Sequence, residues 1–255
     1  MMKKKKIACV IPARLHSTRF PGKVLQNLAG EPLLKRVYKA AKKCRLFDSI
    51  IIAVDDQLTY DLVSSFTKNV ISTSPTWNSG TDRLVEVYQN GKISADIWVN
   101  WQADEPFLSK EMLLELLSSI DTESDIWTLK KKITNLEEVK NTNITKVVTD
   151  NTGRAMYFSR HSIPYDSGKL PIIYFKHIGI YAFTQKALET ISRTGPVPLE
   201  INEQLEQLRF LYHGLHIQVH ETKRDSIGID TPQDLSLAER FWEEQYSLSK
   251  KVTSK

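Results

Sequence analysis

The chain has 255 residues, of which 41% are hydrophobic and 25% charged, and its formal net charge is +5 at pH 7. These values are typical of a globular protein with a substantial core, built as one large domain or as a main domain with a smaller lobe. Two cysteines exclude a disulfide framework, and the lack of any apolar run near 18 residues excludes a membrane-spanning helix. We therefore expect a cytoplasmic protein without membrane insertion.

The first half of the chain alternates apolar segments with helical patterns. Strands are predicted at residues 7–11, 49–54, 70–72, 96–101 and 125–130. Helices are predicted at residues 32–43, 57–67, 82–89 and 110–120, the last with Ser109 as its N-cap. This alternation predicts an α/β fold with a mainly parallel sheet and helices on both faces.

The second half contains fewer helical patterns. Strands are predicted at residues 145–149, 155–159 and 172–183, which indicates an inserted antiparallel, β-rich lobe at residues 131–198 that caps the sheet. Beyond it we predict a helix at 199–212, a strand at 217–220, and a final helix from 232 to about 246.

A loop with three cations follows the first predicted strand directly. It carries Arg14, Arg19 and Lys23, with two hydroxyl residues at 17–18 and a Pro-Gly turn at 21–22. Ligands of α/β sheets bind at the carboxyl ends of strands, and these side chains suit phosphates. The G-x-x-x-x-G-K-[ST] motif is absent, so we predict a nucleoside triphosphate site of another kind. Nucleic acid is not expected, because it calls for a basic face interleaved with aromatic side chains.

Two adjacent carboxylates, Asp104 and Glu105, follow closely after the strand predicted at 96–101. Mg²⁺ is usually held by one or two carboxylates plus substrate phosphates. Pro106 favours extended backbone before it, which would aim the two carboxylates in different directions. Asp230 precedes the last predicted helix, where it is either an N-cap or a second metal ligand.

Three further segments carry polar side chains with two interpretations each. Ser79 and Gly80 precede a helical run that contains Arg83. The segment is either an ordinary helix start or one in which Arg83 faces an anionic substrate. His177 and Tyr181 share one face of a strand, as packed core or as sugar contacts. At 199–212 an apolar stripe lies beside a polar one that is either solvated or lines a cleft, and the polar stripe consists of Glu200, Glu203 and Gln207.

Together these motifs resemble those of the 3-deoxy-D-manno-octulosonate (Kdo) cytidylyltransferase family, also called CMP-Kdo synthetases. The resemblance extends from residue 7 to about 237. In order, the motifs are I-P-A-R-x-x-S-T-R-x-P-G-K, S-G-T-[DE]-R, Q-x-D-E-P, Y-F-S-R-x-x-I-P, H-I-G-I-Y, L-E-Q-L-R and G-x-D-T-P-x-D-L. It implies a Rossmann-like nucleotidyltransferase domain over residues 1–255 that joins CTP to Kdo, releases pyrophosphate and supplies lipopolysaccharide synthesis.

The resemblance also implies roles for individual residues. Arg14 and Lys23 would contact the triphosphate, with Arg19 in the same loop, and Asp104 and Asp230 would hold Mg²⁺. Ser79 and Gly80 would lie near the nucleotide. The sugar-facing residues would be Gln102, Arg83, His177, Tyr181, Glu200, Glu203 and Gln207. The lobe at 131–198 would contribute to the sugar site and to the contacts of a homodimer.

Three residues depart from the family pattern, one of which, Val24, follows Lys23 where the family often has a second proline. Trp101 and Ala103 flank Gln102, and Ala103 stands where the family usually has glycine. If that position needed a positive φ, alanine would cost on the order of 1 kcal/mol. The departures leave two alternatives open: a nucleotidyltransferase for a related acidic sugar such as 8-amino-Kdo, and a catalytically silent binding homologue.

Overall fold

The computed structural model describes residues 4–17, 19–77 and 79–253, with side chains through residue 244, so Thr18 of the predicted phosphate loop lies outside the described residues. Two strands, β2 and β3, form a small hairpin at Asn27–Leu28 and Glu31–Pro32. The other described strands form one sheet: β1 Ile7–Ala13, β4 Ser49–Val54, β5 Val70–Ser72, β6 Ile97–Trp101, β7 Ile126–Lys132, β8 Lys146–Thr149, β9 Ala155–Ser159, β10 Phe175–Thr184 and β11 Ile217–Glu221.

The sheet has the order β11-β7-β10-β6-β1-β4-β5, and β8 and β9 form a pair attached beside β10. Strands β6, β1, β4 and β5 run parallel, as do β7 and β11. Strand β10 runs antiparallel between β6 and β7. The predicted α/β fold is confirmed.

Helices cover both faces of this sheet. They are α1 Leu33–Cys44, α2 Gln57–Ser64, α3 Gly80–Gln89, α4 Lys110–Leu116, α5 Leu136–Lys140, α6 Gln185–Ser192, α7 Pro198–Glu203, α8 Gln207–Tyr212 and α9 Pro232–Thr253. Helices α1, α4 and α9 contribute to one buried apolar cluster, and α3, α6 and α8 contribute to the other. The predicted caps are present, since Ser79 and Ser109 accept hydrogen bonds from the main chain of α3 and α4.

Residues 131–198 are continuous with the main sheet. They supply the β8–β9 pair, which joins the sheet where Lys146 pairs with Lys176 of β10. Strand β10 itself lies inside the sheet, between two strands of the first half. The division of the chain into a main body and an inserted lobe stays a prediction.

The single helix predicted at 199–212 is wrong, because the segment forms two short helices. Gln204 between them adopts the left-handed conformation, with φ 53° and ψ 48°. The main-chain oxygens of Glu203 and Gln204 accept hydrogen bonds from the Arg160 guanidinium, so long-range partners replace the intrahelical ones. The predicted apolar stripe is divided accordingly: Leu205 and Leu208 are buried, whereas Ile201 and Tyr212 are 63% and 60% exposed.

Candidate active site

Two adjoining cavities lie at the carboxyl ends of β1 and β6. The smaller has a volume of about 320 Å³ and the larger about 1110 Å³, and they share wall residues that include Arg14, Arg160 and Asp230. Most of the residues predicted from the sequence line the smaller cavity: Arg14, Arg19, Lys23, Ser79, Gly80, Arg83, Gln102, Asp104, His177, Tyr181, Gln207 and Asp230. Glu200 lines the larger one.

A buried lysine joins the two carboxylates that the sequence predicts as metal ligands. The Lys23 ammonium donates hydrogen bonds to Asp104 and, at 2.9 Å, to Oδ1 of Asp230. Arg19 donates to the other oxygen of Asp230 at 2.9 Å. Three segments far apart in sequence therefore meet through charge-assisted hydrogen bonds.

These contacts shift the pKa of Lys23 and that of Asp230. Burial lowers the pKa of Lys23, but Asp104 and Asp230 outweigh it and raise that pKa above its ordinary value. Burial raises the pKa of Asp230, but Lys23 and Arg19 outweigh it and lower that pKa. The charged forms of Lys23 and Asp230 are thus favoured by the contact between them.

Asp230 is not the N-cap of α9. That role belongs to Thr231, whose hydroxyl accepts the Asp234 N–H at 3.2 Å while the Asp234 carboxylate accepts the Thr231 N–H at 2.9 Å. The Ile229 N–H also donates to the main-chain oxygen of Asp104 at 2.9 Å. These contacts fix the backbone and leave the Asp230 carboxylate to face Lys23.

Asp104 and Glu105 diverge as Pro106 predicts. Asp104 contacts Lys23, whereas the Glu105 carboxyl accepts a hydrogen bond from the Ser226 hydroxyl. Burial, together with the neighbouring Asp104 charge, raises the pKa of Glu105 to about 7. Glu105 therefore ties the segment before Asp230 to the end of β6.

The donor set of this cluster fits a magnesium ion that shares its ligands with a substrate. Asp104 and Asp230 come close enough for one ammonium group to contact both. Among the residues that the structure describes, no group of three or more His, Cys, Asp or Glu side chains could hold a metal ion. Two carboxylates completed by phosphate oxygens and water are a usual Mg²⁺ environment.

Gly80 permits a close approach between α3 and the end of β6. A Cβ at this position would lie 2.8 Å from Nε2 of Gln102 and 3.2 Å from Cγ of Pro12. Ser79 beside it accepts the Asp82 N–H at 3.0 Å and donates to the Asp82 carboxylate at 2.7 Å. A side chain here would require the flexible Gln102 side chain to move, and any contact of Gly80 with the nucleotide stays a prediction.

Arg83 reaches the cavity wall, but protein groups already hold its guanidinium. It forms a buried ion pair with Asp55 at 2.7 Å and donates to Thr73 Oγ1 at 2.8 Å. Further hydrogen bonds go to the main-chain oxygens of Ser74 and Trp77. These bonds organise the loop before α3, and the predicted contact of Arg83 with an anionic substrate stays a prediction.

His177 is a neutral side chain within an aromatic cluster. The hydroxyl of Thr128 donates to Ile180 O at 2.7 Å, so His177 Nε2, at 2.9 Å, is the donor to that hydroxyl. Phe158 and Tyr181 pack against the imidazole ring. Burial lowers the pKa of His177 to about 3, which leaves the ring uncharged at neutral pH.

The polar residues predicted at 199–212 lie in different places. Gln207 is buried at the wall of the smaller cavity. Glu200 lies 3.5 Å from Arg209. Glu203 is absent from both described cavity linings and accepts hydrogen bonds from Ser159 Oγ at 2.7 Å and the Arg160 N–H at 2.9 Å. A contact of Glu203 with the sugar stays a prediction.

Two charged residues that line both cavities, Arg160 and Glu206, received no role from the sequence. Each belongs to a motif noted above, Y-F-S-R for Arg160 and L-E-Q-L-R for Glu206, but neither was assigned a role. The Glu206 carboxylate accepts the Thr81 N–H at 3.3 Å. The motifs were thus the available signal, and only the folded chain reveals that both side chains face the same space.

The departures from the family pattern at residues 101 and 103 are accommodated without backbone strain. Ala103 is absent from the described residues with positive φ, so its backbone incurs no left-handed penalty. Trp101 is buried, and its indole N–H donates to Glu105 O at 2.9 Å. The strained backbone that would favour a silent homologue is not found.

Comparison with known proteins agrees with this geometry. Residues 8–222 match the sequence profile of the cytidylyltransferase family. A 3-deoxy-manno-octulosonate cytidylyltransferase of Koribacter versatilis is 44% identical over 92% of this chain and 90% of its own. Another, of Geobacter metallireducens, is 41% identical over 90% of this chain and 95% of its own.

The chain belongs to the 3-deoxy-manno-octulosonate cytidylyltransferase family. A solved CMP:2-keto-3-deoxy-manno-octonic acid synthetase complexed with CTP has a TM-score of 0.88 to it and 34% sequence identity, covering 94% of this chain and 99% of that one. The fold of this chain is therefore the one found in its cytidylyltransferase relatives. Among the described residues, no helix combines the length and the apolar character that crossing a membrane requires.

The partly buried, neutral His177 predicts a pH dependence of stability. Its depressed pKa means that the unfolded chain takes up a proton near pH 6.5 while the folded one does not. Stability from this residue is present above pH 6.5 and is lost as pH falls toward 3. Between pH 7.5 and 5.0 the loss amounts to about 2 kcal/mol.

We expect His177→Gln to lose less stability than the parent over this pH interval, as measured by urea unfolding at both pH values. His216, which is exposed, provides the matched control, and His216→Gln should retain the parent's pH dependence. An identical pH dependence in His177→Gln and the parent would contradict the prediction.

Proposed function

We propose that this protein transfers CMP from CTP to Kdo, forming CMP-Kdo and pyrophosphate for lipopolysaccharide biosynthesis. The observation that carries the proposal is the cluster of Lys23, Arg19, Asp104 and Asp230 at the strand ends. It offers cations to a triphosphate and carboxylates to a divalent cation in one cavity. The names of the relatives supply the substrates.

The chemistry asked of these residues is mainly positioning and charge neutralisation. The anomeric hydroxyl of the sugar loses its proton and attacks the α-phosphorus in line, the bond from that phosphorus to the α–β bridging oxygen breaks, and pyrophosphate leaves. Lys23 and Arg14 stabilise the negative charge that moves onto pyrophosphate. The cavity walls hold the sugar and the nucleotide together, which makes the reaction effectively unimolecular.

Asp104 and Asp230 are the residues that would hold Mg²⁺. When bound, the ion neutralises phosphate charge and lowers the pKa of the attacking hydroxyl. Lys23 now compensates both carboxylates, so binding of the cation would release its ammonium for the phosphates of CTP. His177, being neutral, is suited to hydrogen bonding and not to charge neutralisation.

We also propose a cytoplasmic location, with which the two free, buried cysteines are compatible.

Pyrophosphate release by the purified protein tests the proposed reaction. CTP, Kdo and Mg²⁺ are supplied together and then omitted in turn, and we expect release only when all three are present. Replacing CTP by ATP, GTP or UTP should strongly reduce the rate. Binding of CTP without Kdo-dependent release would refute the proposed sugar substrate, and turnover with 8-amino-Kdo alone would identify the alternative.

Loss of either metal-binding carboxylate should nearly abolish turnover. We expect Asp104→Asn and Asp230→Asn to lower kcat by at least about 100-fold, because each removes a charge that the reaction requires. The control is Asp121→Asn, at a carboxylate 62% exposed that pairs with Lys5, which should retain the parent's rate. Circular dichroism verifies folding, and a near-normal rate in either variant would exclude that residue from the metal site.

We propose that the protein is a homodimer, as the resemblance implies. Large apolar side chains are exposed at Met156 on β9 and at Leu199 and Ile201 on α7, which leaves apolar surface for a second copy. Light scattering should give twice the mass of one chain at micromolar concentration. The mass of a single chain under these conditions would refute the dimer.

A further inference from the structure

A fully buried lysine lies behind the cavity wall. Lys146 of β8 is 0% exposed. Its ammonium donates to three main-chain oxygens, those of Asn141 at 2.9 Å, Ile144 at 2.6 Å and Arg160 at 2.5 Å. An ammonium group has three N–H donors, so these carbonyls use all of them.

Stability alone does not account for a lysine at this position. Removing an ammonium from water is costly, and an apolar side chain of similar volume often serves a core equally well. The three carbonyls, however, belong to two segments that line the cavities. One is the loop at 141–145, which contributes Thr142, Asn143 and Thr145, and the other is the end of β9, which contributes Arg160.

Arg160 is in turn anchored to the main chain around it. Its Nε donates to Glu203 O at 2.8 Å, Nη1 to Thr142 O at 3.1 Å and Nη2 to Gln204 O at 3.2 Å. A guanidinium has five N–H donors, so some remain for a ligand in the cavities that Arg160 lines. The loop is also tied to β10, because the His177 N–H donates to Thr145 O at 2.8 Å.

The cation of Arg160 is separate from the phosphate-binding cluster. Lys23 and Arg19 are engaged with Asp104 and Asp230 at the ends of β1 and β6, whereas Arg160 is held by the loop at 141–145 and by the residues between α7 and α8. The acidic sugar brings a carboxylate of its own, which a guanidinium suits well. The part of the cavity wall around Arg160 is therefore suited to the sugar, and the part around Lys23 and Arg19 to the triphosphate.

We infer that Lys146 is a positioning residue that holds Arg160 and the loop at 141–145 in place as the sugar-binding wall. It acts through Arg160 on the binding of the sugar and leaves CTP binding unchanged. The inference rests on the proposed function for the identity of the sugar.

Steady-state kinetics of Lys146→Met test this role. We expect the KM for Kdo to rise by at least about tenfold, the size of effect of a lost charged hydrogen bond, with the KM for CTP within about twofold. The matched control is Lys130→Met, at a lysine of strand β7 that donates to Thr149 Oγ1 at 2.6 Å and lies outside both described cavity linings. It should leave both KM values within about twofold of the parent.

Two results would overturn the inference: an unchanged KM for Kdo, or equal rises of the KM for both substrates. If Lys146→Met does not fold, Lys146→Gln, which keeps two N–H donors on a shorter side chain, carries the same test. If neither variant folds, Lys146 is a folding residue and the inference is wrong.

Hydrogen exchange measured by mass spectrometry separates this inference from the proposed reaction. In Lys146→Met we expect faster exchange in peptides that cover residues 141–145 and 159–161, and parent-like exchange elsewhere. If the parent releases no pyrophosphate with Kdo, the proposed function has failed, and this measurement alone decides the positioning role. Unchanged exchange in these peptides, or faster exchange throughout the chain, would refute it.

Discussion

The ion cluster around Lys23 is the constraint on which the rest of the site depends. Asp104 follows the central strand β6, and Asp230 precedes the last helix. Both carboxylates contact one ammonium group, and without that cation they would repel each other. Lys23 compensates both while remaining buried. The surrounding structure serves to bring these groups together: Ile229 bonds to the main chain of Asp104, and Thr231 with Asp234 closes the start of α9.

The part of the cavity wall around Arg160 is held by different partners. Main-chain oxygens, and not carboxylates, satisfy Lys146 and most of the Arg160 guanidinium. Such a network holds the guanidinium in place and leaves some of its N–H donors for an anion in the cavity. The two parts of the site thus differ in their partners: carboxylates hold Lys23, whereas main-chain oxygens hold the Arg160 guanidinium.

Local signals in the sequence predicted the parts of the site that local structure determines. The loop after β1 and the divergence of Asp104 and Glu105 follow from strand ends and from Pro106, and the Ser79 cap follows from its neighbours. Sequence patterns could not reveal partners distant in the chain. Asp55 forms an ion pair with the Arg83 guanidinium. Arg160 donates hydrogen bonds to the main-chain oxygens of residues 203 and 204, where the helix predicted at 199–212 is interrupted. The position of β10 between β6 and β7 was hidden for the same reason, since pairing across the chain determines it.

The sequence separations within the ion cluster have a consequence for biosynthesis. Lys23 contacts residues 81 and 207 positions further along the chain, and Arg19 contacts one 211 positions away. A growing polypeptide on the ribosome can fold β1, α1 and β4 early, but it lacks Asp230 until nearly all of the chain has been made. Contacts this distant close late and slowly. The nascent chain therefore lacks the complete ion cluster until residue 230 has been made, and until then Lys23 has Asp104 but not Asp230 as a partner.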